Sequence, residues 1–271
     1  ILCMKINNNE LYQLIAKLDW QLNMGAEAMV EEEHNNYFNM EKVKTKKGEL
    51  STSGISQEIN NAYLQEDEKN KGKILQESFD KCLTLEDLKN CMLDFNGCDL
   101  KKTATQLVFS DGNPNSNVMV IGEAPGAEED RQGKPFCGAS GKLLDKMLAS
   151  INLDRNTVYI TNVIPWRPPG NRAPTENEIS LMKPFLMKHI EIVSPKMLVA
   201  VGGSASKAIL NIEGGILRYR GVWKEIRLSK SLVIPIISTL HPAYLLRAPN
   251  QKKLAWEDLK SIRSKLQELN D

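Results

Sequence analysis

Four short apolar segments constrain the fold more than any other feature of the chain. Each is typical of a buried strand, and they are Val118–Ile121, Val158–Thr161, Met197–Val201 and Val233–Ile237. Segments with helical spacing of apolar residues, such as 141–150 and 176–193, separate them. Strands that alternate with helices form a mainly parallel sheet with helices on both faces. The sequence therefore predicts an α/β domain of three layers, α/β/α, around a central, mainly parallel sheet of four strands.

The chain before this domain has a different composition. Apolar residues repeat at helical spacing near its start, at Leu11, Leu14, Ile15, Leu18 and Leu22. We expect an amphipathic helix within residues 1–30. Residues 31–80 are rich in Glu, Asn, Lys, Ser and Gln and contain few large apolar side chains, a composition typical of a flexible linker. The folded domain is therefore expected to span residues 81–271.

The chain shows neither the pattern of a membrane protein nor that of a disulfide-linked protein. No apolar run reaches the roughly 18 residues that span a bilayer, and the first residues lack the basic region and cleavage site of a secretory signal. The five cysteines are an odd and scattered set: Cys3, Cys82, Cys91, Cys98 and Cys137. We expect a cytosolic protein without a disulfide framework or a membrane contact.

The first predicted strand runs into a loop that is rich in carboxylates. The sequence of residues 122–130 is GEAPGAEED, in which glycine and proline turn the backbone. The four acids are Glu123, Glu128, Glu129 and Asp130. Ligands of open α/β sheets bind outside the carboxyl ends of the strands, so we take this loop as the candidate active site. Glu128 and Asp130 also suit the first turn of a helix, which is their structural alternative.

Polar loops also follow the other three predicted strands. The loop TNVIPWRPPGNRAPT, residues 161–175, is stiffened by its prolines and carries two arginines. The segment GGSAS, residues 202–206, opens a helix whose first amides, at Gly203, Ser204 and Ala205, can bind an anion. The last loop, STLHPAYLLRAP at residues 238–249, supplies a histidine and an arginine. All four loops are expected to open at one edge of the sheet.

The distribution of charge indicates the kind of partner. Residues 131–260 carry 20 Lys and Arg against 9 Asp and Glu, a net charge of +11, although the whole chain is near neutral. Such a basic block favours a polyanionic partner, and solvated helix faces are the alternative explanation.

Five ordered motifs resemble those of the family 4 uracil-DNA glycosylases, the thermostable bacterial and archaeal type. The motifs are GEAPGAEED, GKPFCGASGKLL, TNVIPWRPPGNRAPT, VAVGGSA and LHPAYLLR, and the resemblance covers about residues 83–266. It implies a uracil-DNA glycosylase-like fold and an enzyme that hydrolyses the N-glycosidic bond of deoxyuridine in DNA, as in base excision repair. The implied partner is uracil-containing DNA, and we expect a monomer.

The chemistry expected of this family assigns a role to each motif. A uracil inside a duplex must be flipped into a fitted pocket, where Phe136 offers a stacking face and Asn162 can pair with O4 and N3–H. The resemblance adds Ala124 to the uracil site and places His241 at O2, where a hydrogen bond stabilises the leaving anion. Glu123 and Glu129 are the candidate acids near the sugar, and the sequence does not divide the roles between them.

Other residues of the same loops are candidates for contacts to DNA. Five of them suit phosphate or backbone contacts: Arg167, Gly203, Ser204, Lys207 and Arg247. Leu245 or Leu246 can insert into the base stack or belong to the core. Without the surrounding motifs, Phe136 would be read as a core aromatic and Asn162 as a turn residue.

The chain departs from the family at the metal site. Family 4 enzymes hold a four-iron, four-sulfur cluster with four cysteines, and the matching positions here are Phe95, Cys98, Trp166 and Met182. Only Cys98 retains a thiolate, so we expect a protein without a cofactor or metal, in which the apolar side chains fill the volume.

Two rival functions stay open from the sequence. One is a non-catalytic module that binds damaged or single-stranded DNA, against which the presence of Glu129, Asn162 and His241 argues. The other is a nucleotide-processing enzyme on a similar sheet, since a fold does not fix a function.

Overall fold

The computed structural model of the protein describes Phe79, residues 82–229 and residues 232–270. The amphipathic helix predicted within residues 1–30 lies outside the described residues. The linker predicted for residues 31–80 also lies outside them, except for Phe79. Residues 82–229 and 232–270 lie within the domain predicted for residues 81–271.

The centre of the domain is a mixed sheet of six strands. They are β1 (Asp111–Gly112), β2 (Val118–Gly122), β3 (Tyr159–Asn162), β4 (Met197–Val201), β5 (Trp223–Arg227) and β6 (Val233–Thr239). Their spatial order is β1-β3-β2-β4-β6-β5. The inner strands β3, β2, β4 and β6 are parallel, whereas the edge strands β1 and β5 pair antiparallel with β3 and β6.

The predicted fold class is confirmed, and its strand count is corrected. The four predicted segments form the four parallel inner strands, with ends shifted by no more than two residues. The sheet has two further strands at its edges. β1 contains two residues, and β5 has the sequence WKEIR with largely exposed side chains, so neither is a run of apolar residues.

Eight α-helices belong to the described part of the chain. They are α1 (Leu85–Asp94), α2 (Leu100–Thr103), α3 (Ala127–Gln132), α4 (Ala139–Ala149), α5 (Glu176–Val193), α6 (Gly203–Leu210), α7 (Pro242–Arg247) and α8 (Lys252–Asn270). Local sequence fixes several helix starts. Thr84 and Asp87 form a capping box at α1, and Thr175 and Glu178 form one at α5, which satisfies amides that would lack partners at each first turn.

Side chains of β2 alternate between two cores, one on each face of the sheet. Met119 and Ile121 pack with residues of α1, α5 and α6, whereas Val118 and Val120 pack with residues of α4, α7 and α8. The sheet is thus covered on both faces, as the alternation of strands and helices predicts. None of the described helices is long and apolar enough to span a membrane.

The end of β6 is held by a buried ion pair. Asp258 of α8 accepts a hydrogen bond from the Thr239 hydroxyl at 2.7 Å and one from Arg220 Nε at 2.9 Å. The Asp258 side chain is fully buried, and burial raises the pKa of this carboxyl. Removing one partner of such a pair leaves a buried charge and costs about 3 to 5 kcal/mol. α8 therefore fixes the strand end that leads into His241.

Candidate active site

A cavity of about 580 Å³ opens at the carboxyl edge of the parallel strands. Its wall is formed by the loop after β2, the end of β3, the proline-rich loop after β3 and the start of α7. The lining includes Glu123, Ala124, Glu129, Phe136, Ser140, Asn162, Arg172, His241, Tyr244 and Arg247. The acidic loop, the proline-rich loop and the histidine loop thus meet at one site, as expected for ligand sites of open α/β sheets.

Asn162 presents an unsatisfied acceptor to this cavity. Its side chain is buried at the end of β3, and its Oδ1 atom has no hydrogen-bond partner among the described residues. A buried polar atom without a partner costs about 1 to 3 kcal/mol, so its presence favours a ligand that supplies the donor. Gly122 makes room for this arrangement, because a Cβ atom there would lie 2.3 Å from Asn162 Oδ1 and 2.5 Å from Phe136 Cζ.

Two rings form one side of the cavity. The centroids of Phe136 and His241 lie 5.7 Å apart, with an angle of 30° between the ring planes. Phe136 is buried with an exposed fraction of 5 %, yet it lines the cavity instead of lying wholly within the core. This placement gives a planar ligand an aromatic face beside the Asn162 amide.

The hydrogen bonds of His241 define which ring nitrogen can donate. His241 is the N-cap of α7, and its Nδ1 atom accepts a hydrogen bond from the Ala243 amide at 3.1 Å. Burial lowers the pKa of His241 to about 4, and the positive charge of Arg247 acts in the same direction. The ring is therefore neutral at pH 7. Because Nδ1 is an acceptor, the proton lies on Nε2, which leaves that atom as a donor.

The two candidate glutamates have different surroundings. Glu129 accepts hydrogen bonds from the amides of Gly126 at 3.1 Å and Gly138 at 2.8 Å, so both of its carboxylate oxygens are engaged. Glu123 lines the same cavity, and within the described part of the chain no hydrogen bond or ion pair reaches its carboxylate. Glu129 thus joins the acidic loop to the start of α4, and Glu123 keeps its acceptors for a ligand or a water molecule.

The two arginines of the proline-rich loop differ in whether they line the cavity. Arg172 lines the cavity and forms a bidentate ion pair with Glu178, with N to O distances of 2.9 and 2.7 Å. The hydrogen bonds from Arg172 lower the pKa of Glu178 to about 2. Arg167 donates to Asn171 Oδ1 at 2.7 Å and lies 3.9 Å from Asp130, outside the cavity wall.

The remaining sequence candidates lie outside the cavity wall. Gly203 and Ser204 begin α6, and Lys207 is exposed on the same helix. Leu245 is buried in the core that packs on α4 and α8, with an exposed fraction of 1 %, whereas Leu246 is 46 % exposed. This structure thus makes Leu245 a core residue and corrects its assignment as a DNA contact, because its side chain already has apolar neighbours.

Sequence reasoning missed several residues of the cavity wall. Ser140 and Tyr244 both lie within the quoted motifs, yet the motifs assign a role to neither. Their positions in the first turn of α4 and on α7 follow from how those helices dock.

The four positions that the resemblance assigns to a cluster lie together in an apolar core. Cys98, Trp166 and Met182 are buried, and the Phe95 ring packs 5.0 Å from that of Phe185. Burial raises the pKa of the Cys98 thiol. One thiol and one thioether do not fit a cluster that needs four thiolates. Within the described residues, no group of three or more His, Cys, Asp or Glu side chains is arranged to hold a metal ion.

Comparison with known proteins identifies the family to which the chain belongs. Residues 109–260 match the family model of the uracil DNA glycosylase superfamily. Among the relatives is the type-4 uracil-DNA glycosylase of Sulfurisphaera tokodaii, which is 40% identical over 188 residues, covering 66% of this chain and 84% of that protein.

Two further relatives carry the same name. The type-4 uracil-DNA glycosylase of Archaeoglobus fulgidus is 39% identical over 184 residues, covering 66% of this chain and 92% of that protein. That of Thermotoga maritima is 33% identical over 189 residues, covering 66% of this chain and 91% of that protein. The similarity therefore includes most of the length of each relative.

Proposed function

Because this chain belongs to the uracil-DNA glycosylase superfamily, we propose that it is itself a uracil-DNA glycosylase of the type-4 kind. It hydrolyses the N-glycosidic bond of deoxyuridine in DNA, releases uracil and leaves an abasic site for base excision repair. We expect the enzyme to act as a monomer in the cytosol.

The unsatisfied Oδ1 atom of Asn162 is the observation that carries the proposal most directly. Uracil has a donor at N3 and an acceptor at O4, which match the carbonyl and the amino group of an asparagine side chain. Cytosine has an acceptor at N3 and a donor at N4. A pocket that leaves buried polar groups unpaired with the wrong base can reject it by about 10⁴-fold.

The position of the cavity supports base flipping. Asn162 and Phe136 are buried at the end of the sheet, so a base within a duplex cannot reach them. The nucleotide must rotate out of the helix, at a cost of roughly a few kcal/mol for unpairing and unstacking. Stacking on Phe136 returns about 1 to 3 kcal/mol, and Ala124 contributes to the adjacent wall.

The chemical step breaks the bond between C1′ of the sugar and N1 of uracil. The bonding electrons move to the base, which leaves as an anion, and His241 Nε2–H donates a hydrogen bond to O2 as that charge develops. Water attacks C1′ through its oxygen, and Glu123 accepts the proton that the water gives up. Glu129 holds the acidic loop against Gly138 and adds negative charge near the cationic sugar.

The proposed DNA surface surrounds the mouth of the cavity. Arg247 lines the mouth, and the exposed Lys207 and the first amides of α6, at Gly203 and Ser204, are further phosphate contacts. Arg167 belongs to the same surface, although it is held by Asn171. Leu246 replaces Leu245 as the side chain that inserts into the vacated stack, because it is the exposed member of the pair.

We further propose that the enzyme works without an iron–sulfur cluster. The support is the chemistry of the four matching positions, where Phe95 and Trp166 offer no ligand atom and Met182 offers only a thioether. Burial of large apolar side chains contributes about 1.5 to 3 kcal/mol each and can replace the cross-link that a cluster provides.

Uracil release from oligonucleotides tests the proposed function. The protein is incubated with single-stranded and double-stranded oligonucleotides that carry one uracil, and abasic sites are cleaved by alkali and counted. Oligonucleotides with thymine or cytosine at the same position are the matched controls. Binding without release would favour the DNA-binding module. Release of uracil from free deoxyuridine monophosphate, with no activity on DNA, would favour a nucleotide-processing enzyme.

A further inference from the structure

The backbone of Phe136 is held in an uncommon conformation. Its φ angle is +53°, in the left-handed region that residues with side chains rarely adopt. Such a conformation persists only where the surrounding structure enforces it. The φ angle also sets the direction in which the ring leaves the backbone. The groups that hold this peptide therefore decide whether the ring lies in the cavity wall.

The carbonyl of Phe136 is enclosed on one side by α4. A Cβ atom at Gly141 would lie 1.6 Å from the carbonyl oxygen, so only glycine fits there. This close approach fixes the carbonyl against the first turn of the helix. It does not supply a hydrogen-bond donor, which comes from a different part of the chain.

Arg155 supplies the donors. Its Nη2 atom donates to the carbonyl of Phe136, and its Nη1 atom donates to the carbonyl of Pro135 at 3.2 Å. Asp111 and Asp145 hold the same guanidinium, with N to O distances of 2.5 and 2.9 Å. The planar guanidinium thus has a fixed orientation and meets four acceptors, which a lysine ammonium cannot match.

We infer that Arg155 is a positioning residue for base recognition: it holds the peptides of Pro135 and Phe136 so that the Phe136 ring faces the flipped uracil. Arg155 is not part of the cavity wall and acts through these two carbonyls. The inference rests on the proposed function, because it assigns Phe136 to the base. It predicts that loss of the guanidinium harms recognition of the base more than binding of DNA.

The test compares Arg155→Lys and Arg155→Met with Arg227→Lys. Arg227→Lys is the matched control, because it makes the same exchange at an exposed arginine of β5 that does not line the cavity. Three quantities are measured for each folded variant. They are the single-turnover rate of uracil release, the affinity for uracil-free DNA, and the affinity for DNA with one 2′-fluoroarabino-deoxyuridine, an analogue that resists cleavage.

We expect Arg155→Lys to lower the release rate and the preference for the analogue about tenfold each, which corresponds to ~1.4 kcal/mol. Its affinity for uracil-free DNA should stay within about twofold of wild type, and Arg227→Lys should leave all three values within about twofold. Gly141→Ala, which displaces the same carbonyl from the other side, should reproduce the selective loss. If Arg155→Met fails to fold, the lysine and Gly141 variants decide the question.

An unchanged analogue preference in folded Arg155→Lys would overturn the inference, as would an equal loss of affinity for uracil-free DNA. In both cases the wild-type protein still releases uracil, so the proposed function stands. A wild-type protein that releases no uracil would instead refute the proposed function.

Discussion

The hydrogen bonds that each glutamate of the cavity already accepts indicate different roles for Glu123 and Glu129. Glu129 is engaged by the amides of Gly126 and Gly138, whereas the Glu123 carboxylate faces the cavity. Both oxygens of the Glu129 carboxylate already accept backbone hydrogen bonds, so a water molecule would have to compete with an amide for either of them. We therefore expect Glu123, and not Glu129, to accept the proton of the attacking water.

We expect Glu123→Gln to slow uracil release about 10²- to 10⁴-fold, the usual contribution of a general base, with little change in stability. Glu129→Gln is the matched variant. It should lower the free energy of unfolding by about 1 kcal/mol or more, because the amino group of glutamine cannot accept one of the two hydrogen bonds that the Gly126 and Gly138 amides donate. Single-turnover kinetics and urea denaturation check both. If Glu129→Gln slowed uracil release and Glu123→Gln mainly lowered stability, the roles of the two glutamates would be reversed.

Asn162→Asp changes the hydrogen-bond pattern of the pocket without changing its shape. The carboxylate offers an acceptor where uracil O4 needs a donor, and it can accept from the cytosine amino group. Uracil release should fall at least about 10²-fold, and weak cytosine release should appear. The remote, exposed Asn152→Asp provides the charge control. If release is the same in both variants, Asn162 does not contact the base.

The lowered pKa of His241 predicts how stability and activity depend on pH. The folded pKa is about 4 and the ordinary value is 6.5, so between these pH values His241 is protonated in the unfolded chain and neutral in the folded protein. The free energy of unfolding should therefore decrease as the pH falls from about 6.5 to about 4.

The rate of uracil release should show no step near pH 6.5, because His241 is already neutral there. His241→Ala should slow release more than it weakens binding. A step near pH 6.5 that disappears in His241→Ala would contradict a neutral histidine.

Sequence reasoning found Asn162, Phe136 and His241 because each lies within a motif, but it did not divide Glu123 from Glu129. The division depends on the amide of Gly138, which comes from the start of another helix. Leu245 and Leu246 were not divided either, because only the docking of α7 decides which side chain enters the core. Both distinctions depend on contacts between segments that are distant in the chain, and the spacing of residues in the sequence does not predict such contacts.

At the scale of elements, the inner and outer strands of the sheet differed in how far sequence could predict them. The inner strands are buried on both faces and read as continuous apolar runs, so all four were predicted. The edge strands β1 and β5 are short or exposed and are defined by pairing with β3 and β6. The pattern of apolar residues within one segment does not show which other segment will pair with it, so the edge strands could not be predicted from that pattern.

Two of the positions that match cluster ligands, Trp166 and Cys98, lie in an apolar core, and variants of these two residues test how much each contributes to stability. Trp166 is buried at the start of the proline-rich loop, so Trp166→Ala should lower the free energy of unfolding by about 3 to 5 kcal/mol. Cys98→Ser should change it little, because the hydroxyl can accept the hydrogen bonds that the Leu100 and Lys101 amides give the thiol. Urea denaturation measures both variants.

The wild-type protein and the Cys98→Ser variant together test whether iron is present. The purified protein should contain no iron and should release uracil at the same rate after treatment with a chelator. Stoichiometric iron with a visible absorption band in anaerobically prepared protein would contradict this expectation. Loss of that band in Cys98→Ser would then identify the remaining ligand.

At the scale of the whole molecule, charge and shape act together. The basic block of residues 131–260 contributes three of the four loops at the carboxyl edge of the sheet, and its Arg247 lines the cavity. Phosphate contacts release counterions, so the affinity for uracil-free DNA should fall steeply as salt increases. We therefore expect this surface to bind DNA before any base is recognised.

Arg247→Glu and Arg167→Glu should each reduce the slope of log affinity against log salt, by about one for each phosphate group that the variant no longer binds. We expect the larger reduction for Arg247, since Arg167 is already held by Asn171. Lys146→Glu, an exposed change in the last turn of α4, is the control and should leave the slope unchanged. A slope that is flat in the wild-type protein would exclude this face as a DNA surface.

The ion pair at the end of β6 has a consequence for the order of synthesis. Every residue of the cavity wall precedes Asp258 in the chain, yet the strand that presents His241 is held by that aspartate. A nascent chain that has emerged as far as Arg247 carries all the chemical groups without the aspartate that fixes them. We therefore expect that the ribosome must release α8 before the pocket is complete, and that a chain that stops short of this helix lacks activity.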